Sequence, residues 1–106
     1  MKLTDLDPQW GQCYARFSPE RGGEDPLPKQ WLTFRCPVCP KGSIQVYVTT
    51  EPFGNGAWHV DALLDYETIK TVTVTPSIGN EGPGRHGANR PPCTAHFSII
   101  NGEIKP

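Results

Sequence analysis

Hydrophobic and polar positions alternate most regularly from Ser43 to Thr49, where Ile44, Val46 and Val48 are interleaved with Gln45, Tyr47 and Thr49. A period of two puts alternate side chains on opposite faces of an extended chain, so this segment is predicted as a strand with one buried face. Leu32 and Phe34 alternate with Thr33 and Arg35, predicting a short strand that pairs antiparallel with Ser43–Thr49. Ile69 to Thr75 is β-branched at six of seven positions, which favours strand. The C-terminal run Phe97 to Ile104 is divided by Asn101-Gly102, a pair whose tolerance of positive φ suits a type I′ hairpin turn. Tyr14 to Phe17 fits a further short strand, and Ala57 to Tyr66 fits either a strand or a single helical turn. No segment has the periodicity of a good amphipathic helix.

Between these runs the chain is heavily punctuated, with 11 glycines and 12 prolines in 106 residues. Pro52, Gly54, Asn55 and Gly56 mark one break, and Gly79–Pro92 reads as a long loop. Pro8, Pro19, Pro26 and Pro28, with the charged stretch Glu20 to Asp25, give residues 1–30 the character of an extended N-terminal arm. Residues 31–106 then form the β domain. Leu, Ile, Val and Phe together number only 22, so the core is small and a staple beyond hydrophobic burial is expected. Ten basic residues against 11 acidic leave a net charge of −1, which excludes a whole-chain basic field for nucleic acid. No apolar run approaches the length of a membrane span, and Met1 to Trp10 lacks the apolar stretch of a signal peptide, so a cytoplasmic protein is expected.

The staple is suggested by the cysteines. Cys36-Pro37-Val38-Cys39 and Cys93-Thr94-Ala95-His96 are two ligand pairs, each with two intervening residues. Zinc takes four such ligands tetrahedrally, commonly as three cysteines and one histidine in structural sites. Two disulfides would need an oxidising compartment. A thioredoxin-like redox pair would need to open a helix, whereas here Pro37, Pro40 and Gly42 surround the motif and a strand follows. The expectation is therefore one structural Zn2+ per chain, held by Cys36, Cys39, Cys93 and His96. Cys13 is left as a spare thiol, His59 as a core or surface residue, and His86 as a solvated loop residue.

Phe34-Arg35-Cys36-Pro37-Val38-Cys39, Trp58, Thr75-Pro76-Ser77-Ile78, and Cys93-Thr94-Ala95-His96-Phe97 leading into Asn101-Gly102-Glu103-Ile104 occur in this order. Over residues 31–105 this resembles an uncharacterised family of small bacterial and phage metal-binding proteins. Some bacterial members sit beside ubiquitin-like conjugation components. The resemblance implies a metal-binding domain with the same four ligands, in a bacterial cell or phage-infected host, and brings no catalytic activity with it.

The fold expected is mostly β, a small antiparallel zinc-ribbon-like domain with long Gly/Pro-rich loops. Four strong ligands leave no open position for water, so a non-enzymatic module that binds a protein partner is expected, with no catalytic residues. Nucleic-acid binding through Arg85, His86 and Arg90 is the alternative. A zinc deaminase is echoed by His59-Val60-Asp61 and Pro92-Cys93, but aspartate stands where such enzymes use glutamate, and Cys36 and Cys39 would be idle.

Overall fold

A computed structural model describes residues 1–18, 23–52 and 56–106, with side chains left undescribed at 15–18 and 23–26. Pro19 to Gly22 of the expected arm, and Gly54-Asn55 of the expected break, lie outside the described residues. Among the described residues seven strands form one sheet: β1 Gln9–Ser18, β2 Gly23–Arg35, β3 Ser43–Thr49, β4 Trp58–Val60, β5 Val74–Gly79, β6 His96–Ile100 and β7 Glu103–Lys105. They lie side by side in sequence order, all neighbours antiparallel except β3 and β4. Among the described residues helix is confined to two 3-10 turns, Leu3–Leu6 and Thr68–Lys70, and no helix there is long and apolar enough to cross a membrane. The mostly β architecture matches the expectation.

The pairing of β2 with β3 follows the alternation in the sequence: Leu32 faces Val46 and Phe34 faces Ile44, and all four are buried. Val60, Val74, Ile78, Phe97 and Ile99 extend the same core, with the Phe34 and Phe97 rings edge to face at 6.0 Å. The hairpin between β6 and β7 turns at Asn101 and Gly102, both at positive φ, as that dipeptide predicts.

Two segments differ from expectation. Residues 1–30 do not stand apart from the β domain, because β1 and most of β2 come from them and the expected boundary falls inside β2. Leu3 and Leu6 are buried in the core, and Met1 O accepts from Ile104 N at 2.8 Å, so the N-terminus lies along β7. Of Ile69 to Thr75, expected as a strand, residues 69–73 precede one that begins at Val74. Asp65 Oδ1 accepts from the Glu67 and Thr68 backbone N–H groups at 2.8 and 2.7 Å. These local hydrogen bonds hold the Thr68–Lys70 turn against the β preference of the side chains.

Candidate active site and metal cluster

The Cys36–Cys39 turn joins β2 to β3. Cys36 N donates to Gly42 O at 2.8 Å, Gly42 N to Cys39 O at 3.1 Å, and Cys39 N to the Cys36 sulfur at 3.4 Å. Cys93 lies across from this turn, its sulfur 3.7 Å from that of Cys36. A tetrahedral ion bound to sulfur at about 2.3 Å separates its sulfurs by about 3.8 Å, so the spacing suits a shared ion. All four cysteines of the chain are free thiols.

The fourth member of the cluster is His86. Its ring and the sulfurs of Cys36, Cys39 and Cys93 offer ligand atoms that all lie within 4.8 Å of one another. The imidazole fits only because Gly42 has no side chain, since a Cβ there would come within 2.5 Å of the ring. His86 Nδ1 is buried with no hydrogen-bond partner among the described residues, a polar atom awaiting one. The Cys93 thiol is lowered to about 6: burial raises it, but hydrogen bonds from the Ala95 backbone, Asn80, His86 and Cys36 outweigh that effect. The Cys39 thiol is pushed up to about 11 by burial and by its cysteine neighbours. Three soft sulfurs, one of them readily ionised, and an orphaned imidazole nitrogen are a donor set that fits zinc.

His96, expected as the fourth ligand, lies elsewhere, and the reason is the strand period. From Cys93 onward burial alternates, with Cys93, Ala95, Phe97 and Ile99 buried and Thr94 and His96 exposed. The segment is extended rather than turned, so the residue three after Cys93 points to the opposite face. The fourth ring comes instead from His86, in the loop expected to be solvated. His59 and Asp61 stand apart from the cluster: His59 Nδ1 bonds Glu51 O at 2.8 Å, and Asp61 Oδ1 accepts from Thr73 N at 3.0 Å.

On its own face His96 joins a second constellation. Ser77 Oγ is 3.1 Å from His96 Nε2, and His96 Nδ1 is 2.6 Å from Glu81 Oε1. With the ring proton on Nδ1, Ser77 O–H donates to Nε2 while Nδ1–H donates to the carboxylate. The arrangement follows from β-sheet register. Gly79 pairs directly with His96 across β5 and β6, and Ser77 and Glu81 lie two residues to either side of Gly79. Positions 77, 79 and 81 share one face, and the missing side chain at Gly79 lets the His96 ring sit between its two partners.

A bulge aims Ser77. Three residues of β5, Thr75 to Ser77, lie between the Val74↔Ile99 and Ile78↔Phe97 pairs, against one residue of β6. Such bulges redirect side chains and are common beside active sites. Trp58 Nε1 donates to Ser77 O at 3.2 Å, fixing the backbone at this point. The His96 and Glu81 side chains are 56% and 59% exposed, open enough for a macromolecular substrate to reach. Nucleophile, imidazole and orienting carboxylate in hydrogen-bonded series are the elements of serine acyl-transfer chemistry. Sequence spacing alone does not disclose this set, because its members come from β5, the loop after it, and β6.

No curated protein and no solved structure matches the chain. One protein family does match, over residues 11–106, and its description agrees with the hydrogen-bonded serine, histidine and glutamate. The chain belongs to the family described as bacterial ubiquitination-like system serine protease (BubE).

Proposed function

We propose that this protein is a serine hydrolase of a bacterial ubiquitination-like system, with Ser77 as nucleophile, His96 as general base and acid, and Glu81 as the carboxylate that orients His96. The observation that carries this reading is the continuous path from Ser77 Oγ through both ring nitrogens of His96 to Glu81 Oε1. In the reaction His96 Nε2 takes the Ser77 proton as Oγ attacks the substrate carbonyl, and Glu81 stabilises the imidazolium that forms. His96 then protonates the departing group, leaving an acyl-serine. A water deprotonated by His96 attacks that ester, releasing the acid and restoring Ser77.

The substrate class that fits such a component is the acyl bond at the C-terminus of a ubiquitin-like protein, in a precursor or in a conjugate. The protein partner expected from the sequence is then the substrate itself. This reading departs from the non-enzymatic module that a closed four-ligand metal site suggests, because the reacting groups lie outside that site. Cys36, Cys39, Cys93 and His86 would hold one Zn2+ as a staple, and four protein ligands give it no open position. Free thiols poised for a metal suit a reducing bacterial cytoplasm.

The test is labelling of the purified protein with a fluorophosphonate, which modifies activated serines. Ser77 is expected to be labelled in the native protein, and Ser77→Ala and His96→Ala should abolish the reaction. Labelling that persists in folded His96→Ala would refute the proposed base.

A further inference from the structure

Asn80 lies between the two sites and touches both. It follows Gly79 and precedes Glu81, so the strand alternation that brings 77, 79 and 81 to the triad face turns Asn80 towards the cluster behind it. Its carboxamide nitrogen is 3.5 Å from His86 Nε2. Its backbone N–H donates to Ala95 O at 2.9 Å, next to His96. One residue beyond Glu81, Gly82 exchanges two backbone hydrogen bonds with Cys93, at 2.9 and 3.1 Å. The backbone on both sides of Glu81 is therefore tied to the segment that carries Cys93 and His96. Glu81 itself is more than half exposed, and the contact its carboxylate makes is to the equally exposed His96.

We propose that Asn80 is a positioning residue: by clamping the chain between Gly79 and Glu81 to the Cys93–His86 cluster, it holds the Glu81 carboxylate at hydrogen-bonding distance from His96. The proposal rests on the triad reading above. It assigns to a residue outside the triad the task of keeping an exposed carboxylate in register, through a cluster that takes no part in the chemistry. Outer hydrogen bonds of this kind commonly change affinity or activity by about 10- to 100-fold when removed.

The experiment is a double-mutant cycle on the rate of Ser77 labelling by a fluorophosphonate, with zinc content and thermal midpoint measured for every variant. Asn80→Ala is expected to keep its zinc and to slow labelling by roughly tenfold in the native background. In the Glu81→Ala background the same substitution should slow labelling no further, because there is no carboxylate left to position. Asn80→Ser, which keeps a short hydroxyl able to donate or accept, should recover part of the rate, and it carries the test if Asn80→Ala loses zinc or unfolds. Equal slowing in both backgrounds overturns the proposal, as does zinc loss from both Asn80 variants. A native protein that is never labelled at Ser77 overturns the triad reading as well, so the two failures are distinct.

Discussion

Gly79 and His96 face each other across β5 and β6, and a Cβ on Gly79 would stand 3.3 Å from His96 Nδ1 and 3.7 Å from Glu81 Oε1. The hydrogen bond between those two atoms therefore passes beside a position that has no room for even a methyl group without adjustment. Gly79→Ala is expected to push the imidazole by a few tenths of an ångström. Geometry of this order matters greatly in acyl transfer, where a misplacement of about 1 Å can cost roughly a hundredfold. We expect roughly a tenfold fall in the Ser77 labelling rate, with a thermal midpoint close to native because the site is on the surface. An unchanged rate would show that the ring tolerates the displacement.

The two histidines should separate in mutagenesis. His86→Ala and Cys36→Ser are expected to lower zinc content sharply, measured by elemental analysis of protein purified without added metal. His96→Ala should retain one zinc per chain while losing reactivity at Ser77, and Cys13→Ser should alter neither. Chelation should lower the thermal midpoint, since the ion offsets a small core. Metal binding also displaces thiol protons, and the Cys39 thiol is held up near 11 by burial and its neighbouring cysteines. Zinc affinity should accordingly weaken as pH falls and protons compete for sulfur. Zinc loss from His96→Ala with retention in His86→Ala would reverse the ligand assignment.

What the sequence made legible was local. The β2–β3 pair, the Cys36–Cys39 turn and the Asn101-Gly102 hairpin are each set within about a dozen residues by alternation or turn chemistry. Cys36, Cys39 and Cys93 were legible as cluster members, but the histidine was not, because Cys93-x-x-His96 has the spacing of a turn but continues a strand. The buried series Cys93, Ala95, Phe97 and Ile99 is a period-2 pattern beginning at the cysteine, and it was the available sign that His96 points away. The triad was less legible still. Ser77, Glu81 and His96 meet through a strand pairing and a two-residue register shift, neither of which leaves a fixed spacing in the chain. His86 reaches its position only because a glycine far earlier in the chain, Gly42, has no Cβ to strike its ring.

The hairpin glycine makes a prediction about stability alone. Gly102 has φ 77°, and a Cβ there would overlap Lys70 O, a backbone atom that cannot rotate aside. Gly102 N also donates to Val72 O at 2.9 Å, so the turn is bound to the chain that leads into β5. Gly102→Ala combines a left-handed backbone with a backbone clash, and a loss of about 3 kcal/mol, at the upper end of ordinary single substitutions, is expected. Urea unfolding at fixed zinc loading measures it. A loss below about 0.5 kcal/mol would mean that the turn opens freely.

Gly42 offers the sharpest separation of metal from fold. It closes the Cys36–Cys39 turn through both of its backbone groups, which any residue but proline could do, and its missing Cβ is what admits the His86 ring. Gly42 is not among the glycines at positive φ, so alanine imposes no backbone strain there. The whole effect of Gly42→Ala should fall on His86, a loop side chain that can swing away while Cys36, Cys39 and Cys93 stay in place. Zinc would then be held by three sulfurs with a water in the fourth position, and affinity should drop by roughly 10- to 100-fold. Competition with a chromophoric chelator measures the affinity. Cobalt substitution reports the change of ligand, because visible absorption distinguishes a site of three thiolates and an imidazole from one of three thiolates and a water. Native zinc affinity in Gly42→Ala would mean that His86 is not the fourth ligand.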